Sequence, residues 1–188
     1  MMGARVVDCE EISELLAREE DHFFDFKGKD IQPSKLQETF VAFANADGGD
    51  LYIGVEDKRS KGERIAPFLN KEEANDIITV LLERTNPAVE NVIVEFLGLE
   101  SGGFVLHVSI PKSPKIHYTS SGDCYIRVNA AKDKIKGERI TLLAYSKGTV
   151  PYERVAVESI SLEEIMGSVV LERYMQRVNT RLMVEVFL

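Results

Sequence analysis

The chain has 188 residues, of which 44% are hydrophobic and 29% charged, with 13 Gly, 6 Pro and no Trp. This composition is typical of a globular protein, and it excludes a disordered chain, a collagen and a coiled coil. The formal net charge of −8 argues against a protein whose whole surface binds nucleic acid.

Neither membrane insertion nor secretion is indicated by the sequence. No apolar run approaches the roughly 20 residues that span a bilayer, and the opening MMGARVVDCEE lacks the basic and then apolar order of a signal peptide. We therefore predict a cytoplasmic protein with no membrane partner. Cys9 and Cys124 lie far apart without further ligands at metal-binding spacing, so the sequence favours two ordinary thiols.

Helices and strands alternate in the first half of the chain. Residues 8–18 carry apolar side chains at helical spacing behind several acids, which favours a short amphipathic helix. Phe24 and Phe26 share one face of HFFDFK, an alternation typical of a strand. Residues 33–45 predict the clearest helix, which stops before Gly48 and leads into the strand LYIGV.

The second half is richer in strands. The polar stretch EDKRSKGERI predicts a loop, and residues 71–84 predict a helix that Asn86-Pro87 ends. VIVEFLGLE and FVLHVSI flank a glycine-containing turn and predict a hairpin, and CYIRV predicts a further strand. Residues 135–146 predict a last helix of the main domain.

This order of elements predicts an α+β fold. We expect a mixed central sheet of about five to six strands flanked by helices, plus a C-terminal helical appendage. The predicted domain covers residues 8–146. Residues 147–188 would form a linker and a helical extension, or the start of a truncated second domain.

The C-terminal extension has two features of its own. SLEE resembles a capping box formed by Ser161 and Glu164, and it predicts a helix running to about Val178. The final residues RLMVEVFL are strongly apolar in a chain with few places to bury them. They predict either a homo-oligomer contact or a fragment of a longer protein.

Acidic residues around the first predicted strand are candidates for catalysis. Asp25 and Lys27 lie on one strand face with Glu20 just upstream. Metal-dependent nucleases use carboxylates to hold a divalent cation, and a lysine can offset charge that develops on the phosphate. The alternative, which spacing alone favours, is a surface salt bridge. Asp57, beside Glu56 after LYIGV, is either a third carboxylate or the start of a turn.

A basic segment, residues 112–139, contains seven Lys or Arg and three Asp or Glu, for a net charge of +4. Its cations could pair with phosphates, and bases could stack on Tyr118 and Tyr125. A solvated loop would have the same composition, so the two interpretations stay open here. The candidate phosphate contacts are Lys112, Lys115, Arg127, Lys132, Lys134 and Arg139.

Together these segments resemble the Schlafen AlbA-like domain. Glu20 with HFFDFK resembles the acid, spacer and hydrophobic-Glu-Phe-Lys opening of that family. FVAFANADGGDLYIGVED resembles its Ala-Phe-Ala-Asn helix end, Gly-Gly turn and Ile-Gly-Val strand with a trailing acid. The resemblance covers roughly Glu11 to Tyr145, and one departure is Asp25, where the family usually has the longer Glu.

The resemblance implies an α+β domain that binds nucleic acid in bacterial and archaeal regulators. Some Schlafen members are metal-dependent endoribonucleases with three acids, and the matching positions here are Glu20, Asp25 and Asp57. Mg²⁺ or Mn²⁺ would then be the cofactor. A binding domain needs no cofactor.

Three hypotheses follow. The leading one is a nucleic-acid-binding domain of a transcriptional regulator or defence protein, which grips the phosphate backbone of DNA or RNA through the basic segment. The second is a divalent-metal-dependent endoribonuclease with the three carboxylates as ligands and Lys27 as the charge-stabilising group. The third is a structural or oligomerisation domain of a larger ATP-dependent regulator.

Overall fold

The structure is a computed structural model, and it describes residues 2–56, 63–150 and 161–185. The chain divides into two compact units, Met1–Val150 and Pro151–Leu188. The interpretation of residues 147–188 as a linker and extension, or as the start of a second domain, stays a prediction.

Seven strands and six α-helices follow one another in the described residues, with one short 3₁₀ turn at Glu72–Ala74. In chain order they are β1 Met2–Val7, α1 Cys9–Ala17, β2 Phe24–Lys27, α2 Pro33–Asn45, β3 Gly48–Ile53, α3 Asn75–Glu83, β4 Ile93–Leu99, β5 Phe104–Pro111, β6 Cys124–Val128, β7 Ala131–Ile135, α4 Glu138–Ser146, α5 Leu162–Met166 and α6 Val169–Glu185.

Five strands form a mixed sheet in the order β1-β4-β5-β3-β2. The β1–β4 and β2–β3 pairs are parallel, whereas β5 is antiparallel to both of its neighbours. β6 and β7 form a separate antiparallel pair. The predicted α+β class, with a mixed sheet flanked by helices and C-terminal helices, is confirmed.

Two strands of the structure were not predicted from the sequence, and one predicted strand lies outside the central sheet. In β1 only Val7 is buried, so MGARVV has no alternation of apolar and polar positions. β7, with the sequence AKDKI, is similarly polar and has only Ile135 buried. CYIRV is a strand as predicted, but as β6 it pairs with β7 and not with the central sheet.

The larger core lies between one face of the sheet and helices α2 and α3. Leu36, Phe40 and Phe43 of α2 are fully buried there against Leu51 and Ile53 of β3. Aromatic and aliphatic side chains of this size contribute about 1.5–3 kcal/mol each when fully buried. The helical spacing of these α2 residues, which predicted the helix, is therefore also what attaches it to the sheet.

Gly48 and Gly49, the first two residues of β3, lie close to the backbone on either side of the strand. Both residues have positive φ, 80° and 152°. A Cβ on Gly48 would lie 2.5 Å from the Ile110 carbonyl oxygen, and one on Gly49 would lie 2.5 Å from that of Phe23. Only glycine leaves room for β3 to run between its two neighbours here.

The opposite sheet face carries a smaller core with α1 against it. Phe24, Phe26, Val7 and Leu97 are buried on this face, whereas α1 contains no fully buried residue. Asp8 caps α1 by accepting a hydrogen bond from the Glu11 N–H at 2.8 Å. Ile12, Leu15 and Leu16 of α1 are partly buried against this face.

The C-terminal unit contains the predicted capping box, in which Ser161 and Glu164 each bond to the other's backbone N–H. The prediction of one continuous helix is wrong, because α5 ends at Met166 with Gly167 as its C-cap, and the Ser168 hydroxyl accepts a hydrogen bond at the start of α6. In RLMVEVFL, residues 186–188 and the side chains of residues 181–185 lie outside the described part. Oligomer contact through this segment stays a prediction.

In the described part of the chain, no helix has both the length and the apolar character needed to cross a membrane. The two cysteines are free thiols, as their separation in the sequence predicted, with Cys9 exposed and Cys124 buried.

Candidate functional site

The predicted acid and lysine residues meet at β2, the outer strand of the sheet. Lys27 Nζ lies 2.6 Å from Asp25 Oδ1 and 3.9 Å from Glu20 Oε1. Glu20 Oε1 also accepts a hydrogen bond from the Phe26 N–H at 3.1 Å, which holds the carboxylate beside the strand. The structure thus places Glu20, Asp25 and Lys27 in one cluster.

The surroundings of Glu20 shift the pKa of its carboxyl group. Its burial, together with a hydrogen bond to Asp25 and the negative charge of Asp25, raises the pKa of Glu20 to about 7, although Lys27 acts in the opposite direction. A carboxyl group with a pKa near neutral can both release and take up a proton at physiological pH. Two neighbouring carboxyls of this kind also favour a bound cation, which would relieve their repulsion.

The third predicted acid, Asp57, lies outside the described residues. Its neighbour Glu56 is described, and its carboxylate lies so close to Gly28 that a Cβ there would overlap it. Within residues 2–56, 63–150 and 161–185, no three His, Cys, Asp or Glu side chains are placed to hold a metal ion. A three-carboxylate site therefore depends on Asp57.

Arg127 has a structural position, in contrast to the predicted phosphate contact. Its side chain is 1% exposed, and Nη1 lies 3.0 Å from Asp25 Oδ2. The other guanidinium nitrogens donate to the carbonyl oxygens of Asp21 and Phe24 at 2.7–3.1 Å. The group also lies over the Phe43 ring at 4.3 Å. Arg127 thus attaches β6 to the outer edge of β2, and all three of its guanidinium nitrogens donate to the residues there.

The remaining predicted phosphate contacts lie at the surface, each in an ion pair. The pairs are Lys112 with Asp47 at 2.8 Å, Lys115 with Glu90 at 2.6 Å, Lys132 with Glu38 at 2.9 Å, Lys134 with Asp123 at 2.6 Å and Arg139 with Asp133 at 2.8 Å. Three of these carboxylates, Asp47, Glu90 and Glu38, come from outside the basic segment. Tertiary structure therefore offsets part of its +4 charge.

Four of these ion pairs are open to solvent, whereas the Lys132 and Glu38 side chains are only 27% and 15% exposed. The side chains of Lys112, Lys115 and Arg139 are 64%, 53% and 54% exposed. A hydrogen bond from Lys112 lowers the pKa of Asp47, and one from Lys115 lowers the pKa of Glu90. Exposed pairs contribute little to stability, so phosphate oxygens can replace the carboxylates at small cost.

The β6–β7 hairpin that carries several of these cations packs between α2 and α4. Tyr125 is 8% exposed and packs on Val41 and Ala42 of α2. Tyr118 packs beside the buried cluster around Leu143 of α4. Tyr125 is therefore a core residue, and base stacking on its ring would require the hairpin to move.

A buried polar network anchors the loop that carries Lys112 and Lys115. Asn45 Nδ2 donates to the carbonyl oxygens of His117 and Tyr125 at 2.8 and 2.9 Å, and its Oδ1 accepts the His117 N–H at 2.8 Å. His117 Nδ1 must donate to the Pro87 carbonyl oxygen at 2.7 Å, so Nε2 accepts from the Ser113 hydroxyl at 2.6 Å. Burial lowers the pKa of His117, which keeps the ring neutral at pH 7.

The sequence reasoning missed the acids that pair with the basic segment. Glu38 lies 94 positions before Lys132 in the numbering, and Glu90 lies 25 positions before Lys115. Nothing in the local pattern links such residues. Glu38 projects from α2 toward β7 only because the hairpin packs on that helix.

Comparison with known proteins gives a family match and a fold match. Residues 20–136 match the family described as Schlafen, AlbA_2. No curated protein matches the chain significantly. The crystal structure of the DIP2311 protein from Corynebacterium diphtheriae is similar, with a TM-score of 0.51 and 18% identity, over 73% of this chain and 32% of that chain. The chain thus spans about a third of the length of that protein, and at this identity the likeness concerns the fold alone.

Proposed function

Because the chain belongs to the Schlafen AlbA_2 family, which is associated with nucleic acids, we propose that it is the nucleic-acid-binding domain of a regulator or defence protein. It contacts the phosphate backbone through five surface cations. These are Lys112, Lys115, Lys132, Lys134 and Arg139.

The observation that carries this proposal is the placement of these cations in surface ion pairs. Except at Lys132, phosphate oxygens can replace the carboxylate partner without exposing a buried charge, because the pairs are already hydrated. Lys132 would also have to leave the Lys35 carbonyl oxygen, to which it donates at 2.9 Å. Arg127 is left out of the contact set, since its guanidinium would have to leave Asp25 and two carbonyl oxygens. The regulatory or defence role rests on the family resemblance.

The binding should depend on salt. Each phosphate contact contributes about 0.7 to the slope of log K against log salt on single strands, so five contacts give a slope of about −3.5 at most. Lys112→Ala combined with Lys115→Ala should reduce this slope by about 1.4. Fluorescence anisotropy with a labelled single strand, measured over a range of salt concentrations, checks both values.

A matched control removes two positive charges elsewhere. Lys71 and Arg84 lie outside the basic segment, near opposite ends of the α3 region, and Lys71→Ala with Arg84→Ala should leave the slope unchanged. If both double variants lower the slope equally, the effect comes from net charge and not from the proposed contacts. Salt-insensitive binding by the unmodified chain would contradict the proposal.

The second candidate function is a metal-dependent endoribonuclease, and the proximity of Glu20 to Asp25 favours it. Carboxylate oxygens are the donors that Mg²⁺ and Mn²⁺ prefer, and the charge of Asp25 contributes, after burial, to the raised pKa of Glu20. The fit is incomplete, because both Asp25 oxygens already accept from cations, Lys27 and Arg127. Glu20, Asp25 and Asp57 would hold the ion, and Lys27 would have to turn toward the phosphate.

For this candidate we expect RNA cleavage in the presence of Mn²⁺ that is lost with EDTA. Glu20→Gln should reduce cleavage at least a hundredfold, since removing a ligand and a proton carrier costs on the order of 10²–10⁴. Asp57→Asn should do the same. A gel with labelled RNA and duplex DNA measures all of these.

Asp25→Asn is a poor variant for this test, because it would also disturb the buried ion pair with Arg127. Glu20→Gln keeps the oxygen that accepts the Phe26 N–H, so its fold should be intact. Glu10→Gln, at an exposed position of α1, is the control and should cut normally. If RNA stays uncut with both Mg²⁺ and Mn²⁺, the nuclease candidate is contradicted and nucleic-acid binding remains as the proposed function.

A further inference from the structure

A groove lies on the sheet face that α1 only partly covers. Its volume is about 360 Å³, within the range of about 300–1,000 Å³ that is typical of ligand pockets. Val7, Leu97 and Tyr52 line it from the sheet, and Glu14 and Arg18 line it from α1 and the residue that follows. None of these residues belongs to the acidic cluster or to the basic segment.

Arg18 is the most distinctive residue of the groove. Its guanidinium carbon lies 3.7 Å from the centroid of the Phe24 ring, so the two planar groups are in direct contact. Phe24 is fully buried and does not line the groove, whereas Arg18 is exposed and does. Arg18 therefore lies between the Phe24 ring and the groove, with one guanidinium face left over.

No hydrogen bond or ion pair joins that guanidinium to residues 2–56, 63–150 or 161–185, although its charge helps to lower the pKa of Asp50. By contrast, Arg5, which also lines the groove, forms ion pairs with two carboxylates. Its Nη1 lies 2.8 Å from a Glu11 oxygen, and its Nε lies 3.3 Å from Glu95 Oε2. Of the two groove arginines, Arg18 is the one that no described carboxylate holds.

The charges of the groove indicate what kind of group fits. Arg5 and Arg18 are balanced by Glu11 and Glu14, so the lining has no net positive charge to attract a phosphate. The floor is apolar at Val7 and Leu97. An uncharged planar group with polar edges suits such a lining, because it can stack on the guanidinium, bury its ring and bond at its rim.

We propose that this groove binds an unpaired base of a single-stranded nucleic acid, which stacks on the free face of Arg18. Guanidinium planes are among the surfaces on which proteins stack unpaired bases. Tyr52 forms a rigid wall, since its ring is stacked on His107 at 4.5 Å and 12°. The proposal rests on the proposed function and adds a preference for unpaired strands.

The test compares two labelled chains of the same length and phosphate number, about 12 nucleotides long. One is single-stranded RNA and the other is an abasic chain that lacks the bases. We expect the unmodified protein to bind the RNA about tenfold more tightly than the abasic chain. Arg18→Lys should abolish this preference while leaving the affinity for the abasic chain unchanged, because it keeps the charge and loses the plane.

Arg84→Ala is the matched control, since it removes an exposed arginine outside the groove, and it should keep the tenfold preference. Equal affinity of the unmodified protein for the two chains would overturn the base site and leave phosphate binding in place. An unchanged preference in Arg18→Lys would overturn it as well. Failure of both chains to bind at low salt would overturn the proposed function and the base site with it.

Discussion

Replacing Arg127 by Ala should lower the free energy of unfolding by about 3–5 kcal/mol, the usual cost of removing one partner of a buried ion pair. The substitution leaves the Asp25 carboxylate buried at 4% side-chain exposure with Lys27 as its remaining cation. It also removes the donors to two carbonyl oxygens at the edge of β2. Urea denaturation followed by circular dichroism measures the change.

Arg139→Ala is the control, because Arg139 lies in an exposed ion pair at 54% side-chain exposure. We expect it to change the free energy of unfolding by less than about 0.5 kcal/mol. If Arg127→Ala were as stable as the unmodified chain but bound nucleic acid less tightly, Arg127 would be a phosphate contact after all.

A double-variant cycle separates the ion pair from the other contacts of Arg127. Removing Asp25 and Arg127 together eliminates both charges of the pair, so the combined cost should be smaller than the sum of the two single costs by about 2 kcal/mol. Strict additivity would assign the stabilising effect to the carbonyl oxygens and the Phe43 ring instead. In either case, activity lost in an Asp25 variant must be read together with its stability.

The second large effect is expected at Asn45. Asn45→Ala should lower the free energy of unfolding by about 3 kcal/mol, because it leaves the buried N–H and C=O of His117 and the C=O of Tyr125 without their partner. These bonds attach the end of α2 to the loop before β6. The same urea experiment measures it.

Asn75→Ala provides the comparison, since Asn75 is an exposed asparagine at the start of α3. It should cost less than about 0.5 kcal/mol. A cost for Asn45→Ala as small as that of Asn75→Ala would mean that water enters and satisfies the network. The loop with Lys112 and Lys115 would then be held by its other contacts, among them the bond from Lys147 Nζ to the Ser113 carbonyl oxygen at 2.5 Å.

The match between sequence and structure is best where local patterns are strong. α2 and β3 could be predicted because the apolar spacing and Pro33 favour a helix, and the Gly48-Gly49 pair favours the end of that helix and the start of a strand. The acid and lysine cluster could be predicted as neighbours, since Asp25 and Lys27 share a strand face. β1 could not, because it is exposed and its strand conformation depends on pairing with β4.

The basic segment shows where sequence reasoning ends. Arg127 and Lys132 are opposite one another in the β6–β7 register, yet one is buried and the other lies near the surface. The difference arises because Arg127 reaches across to β2, a contact between residues about 100 positions apart. No count of charges in a window can predict such a partner.

The sequence by itself determined the α+β class, the family and the local clusters of charge, because these depend on periodicity and on motifs only a few residues long. The tertiary structure alone decided which cations face solvent, which acids neutralise them and which guanidinium stacks on a ring. Those outcomes depend on contacts between distant segments, such as Arg127 with Asp25 and with the Phe43 ring. Burial then sets how much each ion pair matters to the fold, since removing one partner of a buried pair is costly, whereas an exposed pair contributes little.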